Sequence, residues 1–162
     1  MEGNKERYIW ASLRIAMGWL FLWPFLDKLF GLGFATAPDA AWIRGGSPTV
    51  GFLAFGTAGP FAGLFQSLAG NPVADWVFML GLLLLGLGLI LGIGVQIAGY
   101  SGALLVLLIW LAHLPPEHNP LIDEHIIYLV VLIGLARVKA GQWVGLGRWW
   151  ASKVASKYPI LQ

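Results

Sequence analysis

The chain has 162 residues, of which 58% are hydrophobic and 11% charged. Soluble domains carry roughly 25% charge, so a single bilayer-embedded domain over residues 1–162 is expected. A net charge of +2 gives no basis for a nucleic-acid partner. The absence of cysteine excludes thiol–disulfide relays, iron–sulfur clusters, Cys-type zinc sites and covalently attached haem.

Residues 1–7 are polar and mixed in charge. They are followed by no small-residue cleavage site, so the first apolar segment is expected to remain as an uncleaved anchor. That segment, residues 8–30, reaches about 35 Å as a helix, enough to cross with some tilt. Tyr8 and Trp10 mark one end, Trp23 and Phe30 the other, as interfacial aromatics do. Pro24 is expected to kink it and free the carbonyl of Leu20.

Residues 31–71 read as a long outer connection rich in glycine, proline and aromatics. Its second half is uncharged, but Gly51, Gly56, Gly59, Pro60 and Gly63 interrupt any span there. Phe61, Leu64, Phe65 and Leu68 have helical spacing, which predicts one short re-entrant or interfacial helix from Pro60. A second span follows over 75–94, with Gly88 and Gly92 as a small-residue pair for close helix contact. A tight turn near Val95 leads to a third span over 96–113. A fourth is predicted over 121–138, and the tail 139–162 reads as a basic, amphipathic interfacial helix.

The fold class expected is therefore an all-α membrane protein, a four-transmembrane-helix bundle. Four spans place both termini on one side, with Lys5, Arg7, Arg137, Lys139, Arg148, Lys153 and Lys157; the other side holds Lys28 and Arg44. The excess of positive charge assigns the termini to the cytoplasm. Asn71-Pro72-Val73-Ala74-Asp75 and Asn119-Pro120-Leu121-Ile122-Asp123 share one pattern, which predicts two capped helix starts at the outer mouth.

The stretch from His113 to Tyr128 holds all three histidines and three of the eight carboxylates. His125 with Asp123 or Glu124 reads either as a proton-handling site or as compensation of a helix dipole. His118 reads as solvated loop, and His113 as an interfacial residue. Their spacing matches no metal-ligand motif, so neither metal nor haem is expected. Asp27 and Lys28 form either a boundary ion pair or, with Arg44 and His113, a docking point for an anionic substrate. Arg14 lies about 9 Å inside the first span. It either snorkels to the interface or meets a buried acceptor such as Gln96 or a lipid or quinone head group.

The segments RIAMGWLFLWPFLDKLFGLGF, AWIRGGSPTVGFL, DWVFMLGLLLLGLGLILGIG and NPLIDEHIIYLVVL resemble the DoxX/DoxD membrane family over roughly residues 10–138. The resemblance is strongest to the DoxD-type large subunit of thiosulfate:quinone oxidoreductase. It implies a multi-pass subunit of a prokaryotic plasma membrane that oxidises thiosulfate to tetrathionate at the outer face and passes electrons to a membrane quinone. A separate DoxA-like small subunit is the implied partner, with homo-oligomerisation left open. The quinone is expected against Trp23, Trp76, Trp110, Tyr128 and Arg14, and protons from His125 with Asp123 or Glu124. Two other readings stand beside this one: a non-catalytic subunit that anchors or assembles a redox partner, and a small transporter or anion channel.

Overall fold

The computed structural model describes residues 2–116, 119, 121–155, 157 and 158. His118, expected in a solvated loop, lies outside them, as does the end of the predicted tail helix. The described residues form helices and turns, with no strand among them. Helix α1 (Glu2–Phe30) runs through Pro24 without a break. Two short helices, α2 (Val50–Phe55) and α3 (Ala62–Gln66), occupy the connection that follows. Then come α4 (Pro72–Leu91), α5 (Val95–Ala112), α6 (Glu124–Arg137) and the short α7 (Gly147–Trp150).

Helices α1 (from Lys5), α4 and α5 are long and apolar enough to cross a bilayer. Their outward faces are apolar: Trp19, Val77, Leu84 and Leu104 are all more than half exposed. In water such a surface would aggregate; among acyl chains it is solvated. The expected fourth span is helical over only the 14 residues of α6, about 21 Å against a hydrocarbon core of about 30 Å. The predicted start at Asn119 fails because its side chain accepts from the N–H groups of Leu121 and Ile122 in a turn. Asp123 caps the helix instead, accepting from the N–H groups of His125 and Ile126. The first copy of the pattern behaves as expected: Asn71 caps α4 through the N–H of Val73.

The helices pair as α1 with α4 and α5 with α6, and α4 packs on α5 between them. Met17, Phe21, Leu85, Leu89, Val106 and Leu132 lie in the common core. Gly18 and Gly86 set the α1–α4 distance: a Cβ on Gly86 would stand 2.7 Å from the Cβ of Leu22, and one on Gly18 2.7 Å from Ile90. Dense packing without side chains at these two points brings the backbones together. The predicted pair Gly88 and Gly92 does not do this. Gly92 terminates α4 in the left-handed conformation (φ 79°) and opens the turn to α5.

The connection 31–71 is tied down by two carboxylates. Asp27, 1% exposed, accepts from the N–H groups of Phe34 (3.2 Å) and Ala35 (3.0 Å). Asp75, 7% exposed, accepts from the hydroxyls of Ser47 and Thr49 and from the N–H of Thr49. Trp42 meets Trp76 edge to face at 4.6 Å, which fixes the same loop on α4. The predicted single helix from Pro60 is a tight turn, Gly59–Phe61, followed by α3. Glycines at 56 and 59 keep α2 and α3 from joining.

The tail is not one continuous helix from residue 139. Lys139 (φ 52°) and Val144 (φ 57°) take left-handed conformations, and the chain folds back on the bundle before α7. A wide helical turn over Ala151–Ala155 continues α7. Arg14 causes the fold-back. It is fully buried and donates to the carbonyls of Leu89, Ile90 (3.0 Å), Trp143 (3.3 Å) and Val144 (2.6 Å). It neither snorkels nor meets Gln96. The last carbonyls of α4 lack helical partners, and the guanidinium satisfies them while holding the tail.

Candidate functional site

A cavity of about 530 Å³ lies between α4 and α5 and under α2 and α3. Phe52, Phe65, Phe78, Leu105 and Ile109 give it an apolar wall. Leucine and phenylalanine appear here for the same reason as on the lipid face, so composition does not distinguish the two. Three polar side chains reach it: Lys28, Thr49 and Ser101. The Thr49 hydroxyl is committed to Asp75 and that of Ser101 to the carbonyl of Ile97 (2.7 Å). Among the described residues nothing hydrogen-bonds Lys28, since Asp27 beside it serves Phe34 and Ala35. Lys28 interacts with the charge of Asp27 but makes no hydrogen bond among the described residues, so its ammonium is the one free hydrogen-bond donor those three supply to an otherwise oily space.

From the cavity wall an aromatic series runs outward. The ring of Phe52 lies 4.9 Å from that of His113, and His113 lies 6.1 Å from His125 with the planes 21° apart. Tyr128 meets His125 at 6.5 Å. Both histidines have Nδ1 against an acceptor: the carbonyl of Ile109 at 3.2 Å for His113, and Oδ2 of Asp123 at 3.0 Å for His125. A carbonyl or carboxylate can only accept, so Nδ1 carries the hydrogen in each and the neutral ring keeps Nε2 as its acceptor. Ile109 lines the cavity as well, so His113 is bonded to the cavity wall itself.

Asp123, outside α6, has the His125 ring and two amides around its carboxylate. Burial works against its ionisation. The hydrogen bond from His125, those from the Ile126 and His125 amides, and the charge of His125 outweigh burial and hold the carboxyl below its ordinary range. Glu124 is exposed beside it. Asp123, Glu124 and His125 bring ligand atoms within 4.8 Å of one another. Two of the three are already engaged, as helix cap and as its histidine partner.

The other expected site residues fall elsewhere. Arg44 ends the turn Trp42–Arg44, exposed and off the cavity wall. Lys28, Arg44 and His125 therefore do not share one cavity, although Lys28 lines it and His125 reaches its wall through His113 and Phe52. Asp27 is a buried loop anchor, not an ion-pair partner within bonding distance. Trp23 packs between Trp19 and Phe34, and Trp76 against Trp42. Trp110 has a buried Nε1 with no partner among the described residues. Arg14 sits at the opposite end of the bundle. None of Trp23, Trp76, Trp110, Tyr128 or Arg14 lines the cavity. Sequence reasoning missed Phe52 and the cavity-facing sides of α4 and α5. The one available signal was Gly81, a glycine on the apolar helix α4 with open space beyond it.

Comparison of the chain with protein-family models, with curated proteins and with solved structures gives no match.

Proposed function

We propose that this chain is a four-crossing membrane subunit of a quinone-reducing oxidoreductase, of the thiosulfate:quinone type that its sequence resembles. The observation that carries this reading is the apolar cavity with the free hydrogen-bond donor of Lys28 on its wall. A quinone is an apolar ring and tail with two hydrogen-bond acceptors. Such ligands bind in mostly hydrophobic cavities in which few polar groups fix orientation. The lining residues fit it: Phe52, Phe78 and Leu105 would hold the ring and tail, and Lys28 would donate to a carbonyl oxygen.

A four-crossing topology is supported by the course of α6. It begins near His113, and towards its other end Ala136 packs on Gly99 near the start of α5. It thus runs beside most of α5, from His113 back to Gly99. The basic end, with Arg7, Arg137 and Arg148, is then cytoplasmic, and the connection 31–71 and His125 face outward across a prokaryotic plasma membrane.

Joining two thiosulfates as tetrathionate releases two electrons and no proton, whereas reducing a quinone to a quinol takes two electrons and two protons. Protons must therefore come from water through a titratable group. His125 is held by Asp123 with Nε2 available, on the outer side, and is the group we assign to this task. Asp123 orients its ring and stabilises the imidazolium. The chain has no thiol, and electrons are expected to arrive from a separate DoxA-like small subunit. Arg44, exposed and off the quinone cavity, is the outward cation proposed to attract the thiosulfate dianion.

One observation favours the second reading, a non-catalytic subunit that anchors a redox partner: Arg44 lies off the cavity that Lys28 lines. Thiosulfate-dependent quinone reduction by the purified chain, with and without the small subunit, separates the two. The enzyme reading predicts turnover that falls about 10²-fold in His125→Ala. Wild-type rates in that variant remove His125 from the mechanism. Quinone binding without any thiosulfate-dependent turnover, partner present, selects the anchor.

A further inference from the structure

A second, smaller cavity of about 110 Å³ lies at the opposite end of the bundle. Arg7 and Tyr8 on α1 form one side, and Trp143, Val144 and Arg148 of the folded-back tail form the other. Val144 is held in a left-handed conformation that a β-branched residue rarely takes, and its carbonyl is bonded to the buried Arg14. The cavity is thus built by long-range contacts between the chain's two ends. Arg148 donates its Nε to the carbonyl of Gln142 (3.0 Å), which leaves its two terminal nitrogens for a ligand. Among the described residues neither arginine has a carboxylate partner, since the ion pair found there is His125–Asp123.

We propose that this cavity binds the phosphate of an anionic phospholipid headgroup. Two guanidinium groups with free forks match a phosphate in charge and geometry. Tyr8 and Trp143 are residues of the water–lipid boundary, and basic pockets between helices at that level take anionic headgroups. A lipid is favoured over a free anion by what adjoins the pocket. Tyr8 is 64% exposed and Val144 52% exposed, and both line the cavity, offering acyl chains an apolar path beside the arginines. The site clamps the tail to α1, so lipid binding and docking of the tail are linked: whatever binds the closed form alone stabilises it.

The test uses the full chain in detergent, with bound lipid counted by native mass spectrometry and thermal unfolding followed in parallel. The probes are phosphatidylglycerol, phosphatidylcholine and inorganic phosphate. Wild type retains phosphatidylglycerol over phosphatidylcholine and is stabilised by it. Arg7→Gln with Arg148→Gln weakens that binding about thirtyfold, while Arg137→Gln with Lys153→Gln, the same change in net charge among exposed residues, leaves it within about twofold. If the first pair fails to fold, Arg7→Lys with Arg148→Lys carries the test: charge is kept, the fork is lost, and binding falls severalfold. Equal losses in both glutamine pairs would indicate diffuse surface charge and overturn the proposal. So would wild-type binding in either arginine variant, or inorganic phosphate stabilising the protein as well as phosphatidylglycerol does.

Discussion

The carboxylate of Asp75 accepts both the N–H (3.2 Å) and the hydroxyl (2.5 Å) of Thr49, from a position 26 residues further along the chain. Thr49 and Pro48 are themselves cavity walls. A helix-start acid therefore shapes the mouth of an apolar cavity. Asp75→Ala leaves the buried hydroxyl of Thr49 without its acceptor. Hydrogen bonds to charged groups contribute about 1.5–3 kcal/mol each, so stability is expected to fall by at least about 2 kcal/mol. Thermal unfolding in detergent measures this, and cleavage within residues 45–50 by added protease should rise in step. An unchanged midpoint would mean that Asp27 and the Trp42–Trp76 contact suffice to hold the loop.

Arg14 is predicted to be the residue least tolerant of replacement. Arg14→Ala removes the donor shared by four carbonyls in a buried setting, and leaving buried acceptors bare costs about 1–3 kcal/mol each. Lysine has the charge but not the planar fork, so Arg14→Lys should recover only part of the loss. Limited proteolysis resolves the cause: the variants should be cut near residues 142–146, where the tail leaves the bundle, before any cut in α4 or α5.

Acid should loosen the start of α6. The Asp123 carboxyl is held below its ordinary range in the folded protein, so the folded state binds fewer protons than the unfolded one. The stability this adds is present above the unfolded value of about 3.9 and is lost as pH falls through the lower, folded value. Hydrogen exchange at the His125 and Ile126 amides, which Asp123 caps, should accelerate over that window relative to amides of α4. In Asp123→Asn, which still caps but does not titrate, the acid-dependent part should vanish.

What could be read from the chain without coordinates was what depends on local pattern. The three long apolar helices, a tight turn between the second and third of them, placed near Val95 and found at Gly92–Gly94, and the cap at Asn71 follow from short-range chemistry. The prediction at Asn119 failed because the same pattern also closes a turn, and only the distance to the bundle decides between the two. Arg14 was ambiguous because depth says nothing about which carbonyls lie opposite. The cavity was illegible for a physical reason: its wall and the lipid face call for the same side chains. The link from His125 through His113 and Phe52 to the cavity needed the loop folded.

Gly81 provides the most direct test of the central claim, that the space between α4 and α5 receives a lipid-soluble quinone. It lines the cavity, and a Cβ built on it meets nothing within 4 Å. Gly81→Leu should therefore place its side chain in the cavity with no clash at its Cβ, and helix propensity favours the change. The measurement is quinone binding to wild type and Gly81→Leu, followed by tryptophan fluorescence at matched thermal stability. We expect saturable binding in wild type and a loss of at least about tenfold in the variant, with Lys28→Ala weakened less. Equal affinity in wild type and Gly81→Leu would contradict the account.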